Sequence, residues 1–199
     1  MIAIIDYGAG NLRSVKKAFD FLNVDSQVIS NSDELAGTEK IVLPGVGAFG
    51  AAIDKLHESG FYGAIREWLI LNKPFLGICL GMQLLLETSM ESPGAKGLAA
   101  LKGENLRFTS GKVPQIGWNQ VQIQNKSDLF NGIPDGSFFY FLHGYYLSST
   151  EHDSIIATTK YGIDYPSAIE KGNIAAVQFH PEKSGDIGLK LLKNWVDLC

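Results

Sequence analysis

The 199-residue sequence predicts an α/β fold, with a mostly parallel central sheet flanked by helices and an antiparallel extension in the second half. Two observations lead there. In the first half, short apolar runs alternate with glycine loops and helical periodicity, as in βαβ units whose strands are buried on both faces. In the second half, strand-like runs follow one another with short connections and a hairpin turn signal. No internal repeat or linker divides the chain, so a single domain over residues 1–199 is expected.

The elements follow in order. Residues 2–6 (IAIID) form a first buried strand, and Asn11 is placed to cap the helix behind it. That helix carries Val15, Ala18, Phe19 and Leu22 on one face and Lys16, Lys17 and Asp20 on the other. Strands are expected at 27–29 and 40–43, the latter stopped by Pro44 and a glycine-rich loop. Helices at 51–58 and 62–71 lead to a strand at 75–79, which runs into a helix carrying Met82, Leu85 and Leu86. Later strands are expected at 121–123, 138–142, 155–159, 167–170 and 174–179, with Lys171-Gly172-Asn173 as a hairpin turn. Ile187, Leu191, Trp195 and Leu198 form the apolar stripe of a last helix.

Composition narrows the function. A formal net charge of −4 with no basic run argues against a nucleic-acid surface. The two cysteines, Cys79 and Cys199, lie far apart and suggest a reducing compartment rather than a disulfide framework. No signal peptide is legible, and no apolar run reaches the roughly 18 residues of a membrane span. A soluble cytoplasmic protein that binds neither membrane nor nucleic acid is expected.

The strongest local signal is Gly77-Ile78-Cys79-Leu80-Gly81-Met82-Gln83, a strand end, a cysteine and a helix start with glycines on both sides. This is the pattern of a nucleophile elbow with cysteine as the nucleophile. A free cysteine of pKa about 8.5 is only a few per cent thiolate at neutral pH. A helix N-terminus adds roughly 0.3–1 kcal/mol, too little to ionise it, so a histidine partner is required. Taken alone, the position also suits a buried structural cysteine.

Among His57, His143, His152 and His180, the last stands at a strand end in Gln178-Phe179-His180-Pro181-Glu182-Lys183. Pro181 holds His180 extended, so His180 and Glu182 point the same way and the carboxylate can orient the imidazole. The same residues also fit a strand-end histidine beside a solvated glutamate. His57 and His152 read as surface residues, whereas His143 lines the site or sits in the core. Pro44-Gly45-Val46-Gly47 leaves the sheet at the same edge as Cys79. A backbone N–H there, with that of Leu80, would form an oxyanion hole, although a plain glycine turn has the same sequence.

Together these motifs resemble the class I, triad-type glutamine amidotransferases. Asp6-Tyr7-Gly8-Ala9-Gly10-Asn11-Leu12, Pro44-Gly45-Val46-Gly47-Ala48-Phe49, Gly117-Trp118-Asn119 and Phe179-His180-Pro181-Glu182-Lys183-Ser184 narrow the likeness to the glutaminase subunits of imidazole glycerol phosphate synthases. The resemblance runs from residue 2 to the last helix and implies the flavodoxin-like sheet of that family. It implies that Cys79 attacks the amide of L-glutamine, His180 shuttles the proton and Glu182 orients the histidine. It implies oxyanion donors near Gly47 and Leu80, and substrate contacts from Gly45, Gln83, His143, Gly144 and Tyr145. Ammonia would pass to a (β/α)₈-barrel cyclase subunit, in a heterodimer, for histidine biosynthesis. Asn11, Trp118 and Lys183 would face that partner, and neither cofactor nor metal is expected. Two departures stand out. Family members usually carry His-Ser-Tyr at His143-Gly144-Tyr145, and Pro-His at Pro114-Gln115. A paralogous subunit for sugar amidination, a stand-alone cysteine hydrolase and a non-catalytic module are the competing readings.

Overall fold

The computed structural model describes residues 1–148 and 151–199. The first half runs β1 (Ile2–Ile5), α1 (Leu12–Phe21), β2 (Ser26–Ile29), β3 (Lys40–Gly45), α2 (Phe49–Glu58), α3 (Phe61–Ile70), β4 (Phe75–Cys79) and α4 (Leu80–Gln83). The second half adds β5 (Thr88–Ser89), β6 (Glu104–Arg107), β7 (Gln115–Ile123), β8 (Ser137–His143), β9 (Tyr145–Leu147), β10 (Ile155–Tyr161), β11 (Ile163–Lys171), β12 (Ile174–Val177) and α5 (Gly185–Leu198).

Among the described residues, nine strands form one sheet in the order β2-β1-β3-β4-β12-β11-β10-β7-β8. The first five run parallel, and from β12 to β8 every pairing is antiparallel. The expected parallel sheet with an antiparallel extension is therefore present.

Strand alternation sends successive side chains to two separate cores. Ile4, Val42, Leu76, Ile78 and Val177 meet Phe19 of α1 and Leu191 and Trp195 of α5. Ile5, Ile41, Leu43 and Phe75 meet Ile53 and Leu56 of α2 and Ile65 and Trp68 of α3. Because both faces are covered, the inner parallel strands β1, β4 and β12 carry no charged or polar side chain and read as continuous runs, whereas the edge strand β2 includes Ser26 and the exposed Gln27.

The structure corrects several expectations. The helix after Cys79 stops at Gln83, and Leu85 and Leu86 are buried in the turn that follows. β7 begins at Gln115, six residues before the expected strand, because its outward residues and Gly117 break the apolar alternation. A small sheet, β5-β6-β9, was not foreseen, since its strands are only two to four residues long. Asn11 stands at the start of α1 without a side-chain cap, and its Oδ1 accepts from the Ser14 hydroxyl at 3.0 Å. Leu198, placed on the apolar stripe of the last helix, is 47% exposed.

Candidate active site

β4 ends at Cys79 with φ 55° and ψ −106°, a conformation that costs a non-glycine residue about 1–3 kcal/mol. The flanking glycines make this turn possible. A Cβ on Gly81 would lie 1.8 Å from the Leu43 carbonyl oxygen, and one on Gly77 would lie 2.8 Å from the Gly81 oxygen. On one side, Cys79 pairs in register with Gly45 of β3. On the other, Ile78 pairs with Val177 of β12, so Gln178 continues alongside Cys79. The sulfur lies 3.7 Å from the Leu142 carbonyl oxygen and 3.7 Å from the Gln178 Nε2.

His180 follows β12 in extended conformation, and its backbone N–H donates to the Tyr140 carbonyl at 2.8 Å. Its Nδ1 is 2.9 Å from Glu182 Oε1, with the two side chains only 2% and 1% exposed. Nδ1 therefore carries the proton shared with the carboxylate, and Nε2 makes no hydrogen bond among the described residues. Burial opposes protonation of the ring. Its contacts with Cys79 and Glu182 outweigh this and push His180 up to about 10. The His180 ring proton at Cε1 is accordingly expected to titrate near pH 10 by NMR. Glu182→Gln should bring that midpoint down, because one of the two raising partners is lost while Cys79 remains. An unchanged midpoint would mean that the carboxylate does not act on the ring.

A cavity of about 130 Å³ opens above the elbow. This is below the roughly 300–1,000 Å³ of drug-sized ligand sites, and it suits a small substrate. Cys79, Leu80, Gln83 and Glu91 line one side; residues 142–145 and the Val46-Gly47 loop line the other. Gly47, at φ 108°, is exposed at the mouth with open space around it. Gly45 lies behind the wall instead. A Cβ there would sit 2.5 Å from the Tyr7 hydroxyl and 2.9 Å from Leu80 Cβ, so its glycine serves packing of the loop on the elbow. Gly144 has room for a side chain, its nearest neighbour being Val113 at 3.5 Å. The missing serine is therefore a lost hydroxyl rather than a backbone requirement.

His143 is buried, and burial together with the nearby His180 holds it down at about 4 despite its bond to Tyr145. It is neutral at physiological pH. Nδ1 donates to the Tyr145 carbonyl at 2.8 Å, and Nε2 accepts from the Tyr165 hydroxyl at 3.2 Å. The Gln115 side chain lies 3.0 Å from the same hydroxyl, so this second departure is a buried link behind His143. Sequence reasoning assigned nothing to Tyr165, Gln178 or Glu91. Glu91 Oε2 accepts from the Phe49 backbone N–H at 2.7 Å, at the start of α2. No sequence pattern marks it, since it arrives from a two-residue strand through a short turn.

Asn11, Trp118 and Lys183 are not in the cavity. Trp118 and Lys183 both reach Tyr140, at 6.2 Å between rings and 5.8 Å from ammonium to ring. Asn11 heads α1, which packs against the turn Pro181–Lys183.

Residues 3–198 match the family described as glutamine amidotransferase class-I. The chain belongs to the class I glutamine amidotransferase family. Within it, the chain is 51% identical to the imidazole glycerol phosphate synthase subunit HisH of Chlorobaculum tepidum, over 99% of this chain and all of that one. The HisH of Methanocaldococcus jannaschii is 48% identical, with both chains fully covered. The fold is likewise that of a solved glutamine amidotransferase, with a TM-score of 0.78 at 18% identity over 98% of this chain and all of that one. The PurLQS structure from Thermotoga maritima matches with a TM-score of 0.78 at 19% identity, over 98% of this chain and 97% of that one. A glutamine amidotransferase must release ammonia from an amide, and the cysteine, imidazole and carboxylate at this sheet edge are suited to that.

Proposed function

We propose that this chain is the glutaminase subunit of an imidazole glycerol phosphate synthase, a single amidotransferase domain over residues 1–199 that works in the cytoplasm. Its chemistry rests on Cys79 at the elbow beside the buried His180–Glu182 pair. The Cys79 thiolate attacks the side-chain carbonyl carbon of glutamine. The Leu80 N–H and the Val46-Gly47 loop receive the oxyanion at the cavity mouth. His180 then donates its Nε2 proton to the leaving nitrogen, and ammonia departs from a γ-glutamyl thioester. In the second half, His180 takes a proton from water, which attacks the thioester and releases glutamate. Glu91 provides the carboxylate for the substrate ammonium, and Gln83, His143, Gly144 and Tyr145 shape the rest of the cavity.

A partner follows from the chemistry and the surface. Ammonia is largely protonated in water and must reach its acceptor shielded. In β7 and β8, Trp118 opposes Tyr140, Ile116 opposes Leu142 and Gln120 opposes Phe138, so all six share one face. Ile116, Trp118 and Phe138 are 57%, 56% and 53% exposed, while Leu142 borders the cavity. This apolar stripe, which leads outward from the nucleophile, fits a docking face for a (β/α)₈-barrel cyclase subunit, with Asn11 and Lys183 at its side. No helix among the described residues is long and apolar enough to cross a membrane.

Copurification with candidate barrel cyclases, followed by a glutamine-dependent assay, tests the proposal. Glutamine turnover is expected to rise sharply when the histidine-pathway cyclase and its ligand are added. Equal turnover with and without them would favour a stand-alone hydrolase, and stimulation only by a sugar-pathway cyclase would favour the paralogue. Trp118→Ala should weaken the complex about thirtyfold in Kd, the scale of an aromatic hot spot, without loss of fold. An unchanged Kd by titration would remove this stripe from the interface.

A further inference from the structure

Gln178 has no part in the reaction described above, yet its side chain is fully buried against the nucleophile. Which end of its amide meets the sulfur is fixed by a chain of hydrogen bonds. The Tyr145 backbone carbonyl can only accept, so Gln83 presents Nε2 to it, at 2.9 Å. The second hydrogen of that nitrogen meets the Gln178 side chain at 3.1 Å, which must present Oε1. Gln178 Nε2 is then left pointing at Cys79 Sγ, 3.7 Å away. Reversing the Gln178 amide would set two NH₂ groups against each other and an oxygen against the sulfur.

The sulfur thus has two fixed dipoles beside it. The Leu142 carbonyl accepts from an S–H and favours the thiol. The Gln178 amide donates and favours the thiolate. We propose that Gln178 is a further catalytic residue, an amide donor that holds the Cys79 sulfur as thiolate, with Gln83 and the Tyr145 carbonyl as the positioning groups that set its orientation. An amide does not titrate. It therefore keeps donating after His180 has passed its proton to ammonia, and it is in place to receive the thiolate that leaves when the thioester is hydrolysed. The turnover consequence rests on the glutaminase reading, whereas the effect on the thiolate does not.

Alkylation of Cys79 by iodoacetamide reads the thiolate directly, in the isolated chain and without glutamine or partner. Failure of the glutaminase reading therefore leaves this test intact. Gln178→Met keeps the bulk and removes the donor. It is expected to raise the pH midpoint of alkylation by about one unit, the tenfold scale of a lost hydrogen bond to a charged group, and to leave the plateau rate well above the midpoint unchanged. A merely structural role would slow alkylation by the same factor at every pH or not at all, and either result overturns the proposal. Should the variant fail to fold, the unmutated chain with ¹⁵N-labelled side-chain amides gives a second measurement. The Gln178 Nε2 resonance is expected to move with the pH midpoint of alkylation and to stop moving in Cys79→Ala. A resonance that ignores that midpoint also overturns the proposal.

Discussion

Replacing Cys79 by alanine will lower glutamine hydrolysis by about four orders of magnitude or more, while the cyclase partner keeps its activity with ammonium salts. The size follows from what remains once the nucleophile is gone. In enzymes with covalent intermediates, removal of the nucleophile leaves only binding and oxyanion stabilisation, and the rate falls by roughly 10⁴ to 10⁶. Water is a poor substitute, because it would have to attack the amide itself, without the thioester intermediate that splits the reaction into two easier steps. The split between the two activities is the diagnostic part. Cys79 is 5% exposed at the base of the cavity, whereas the apolar stripe of β7 and β8 lies on the surface, so the substitution leaves docking intact. Glutamine turnover and ammonium-dependent synthesis, measured on the same complex, check both halves. Full glutaminase activity in the variant would refute Cys79 as nucleophile. Loss of the ammonium-dependent reaction would show that the change has damaged the assembly rather than the chemistry.

The parts of this molecule that were legible from sequence are those in which local pattern and tertiary role coincide. β1, β3 and β4 are buried on both faces, so burial alone writes them as unbroken apolar runs. The elbow is legible because the tight turn excludes side chains at Gly77 and Gly81, and glycine is visible as a letter. His180 and Glu182 could be paired on paper because they lie two residues apart, but a 3₁₀ turn over Pro181–Lys183, not the expected extended run, brings them to 2.9 Å.

Groups whose role depends on register between distant segments were not legible. Gln178 is beside Cys79 only because Val177 pairs with Ile78, a relation between residues about a hundred positions apart. Gln115 departs from the usual histidine and reads as a defect until the structure places it on Tyr165 behind His143. β7 hid its length for a related reason. Its outward face carries Ile116 and Trp118, which break the polar-out pattern that a solvated strand would show. Under the proposed docking this face is covered in the complex, and rules for surfaces that face water do not recognise it.

Gly81→Ala is expected to cost about 3 kcal/mol or more of folding stability, a severe loss against the 5–15 kcal/mol of a typical domain. The added methyl would meet the Leu43 carbonyl oxygen at 1.8 Å, and that oxygen belongs to β3, a strand held on both sides by β1 and β4. No flexible side chain can yield, so either β3 or the elbow must move. Moving the elbow carries Cys79 away from His180, and activity falls with stability. Gly63 provides the control. It lies exposed in α3 with open space where a Cβ would stand, so Gly63→Ala is expected to stabilise the fold by about 0.5–1 kcal/mol through helix propensity. Urea unfolding of the two variants should therefore move in opposite directions from the parent. If Gly81→Ala unfolds at the parent midpoint and retains glutaminase activity, the elbow does not depend on close contact between β3 and the start of α4. Cys79 would then be held at φ 55° by contacts other than the glycine-lined turn.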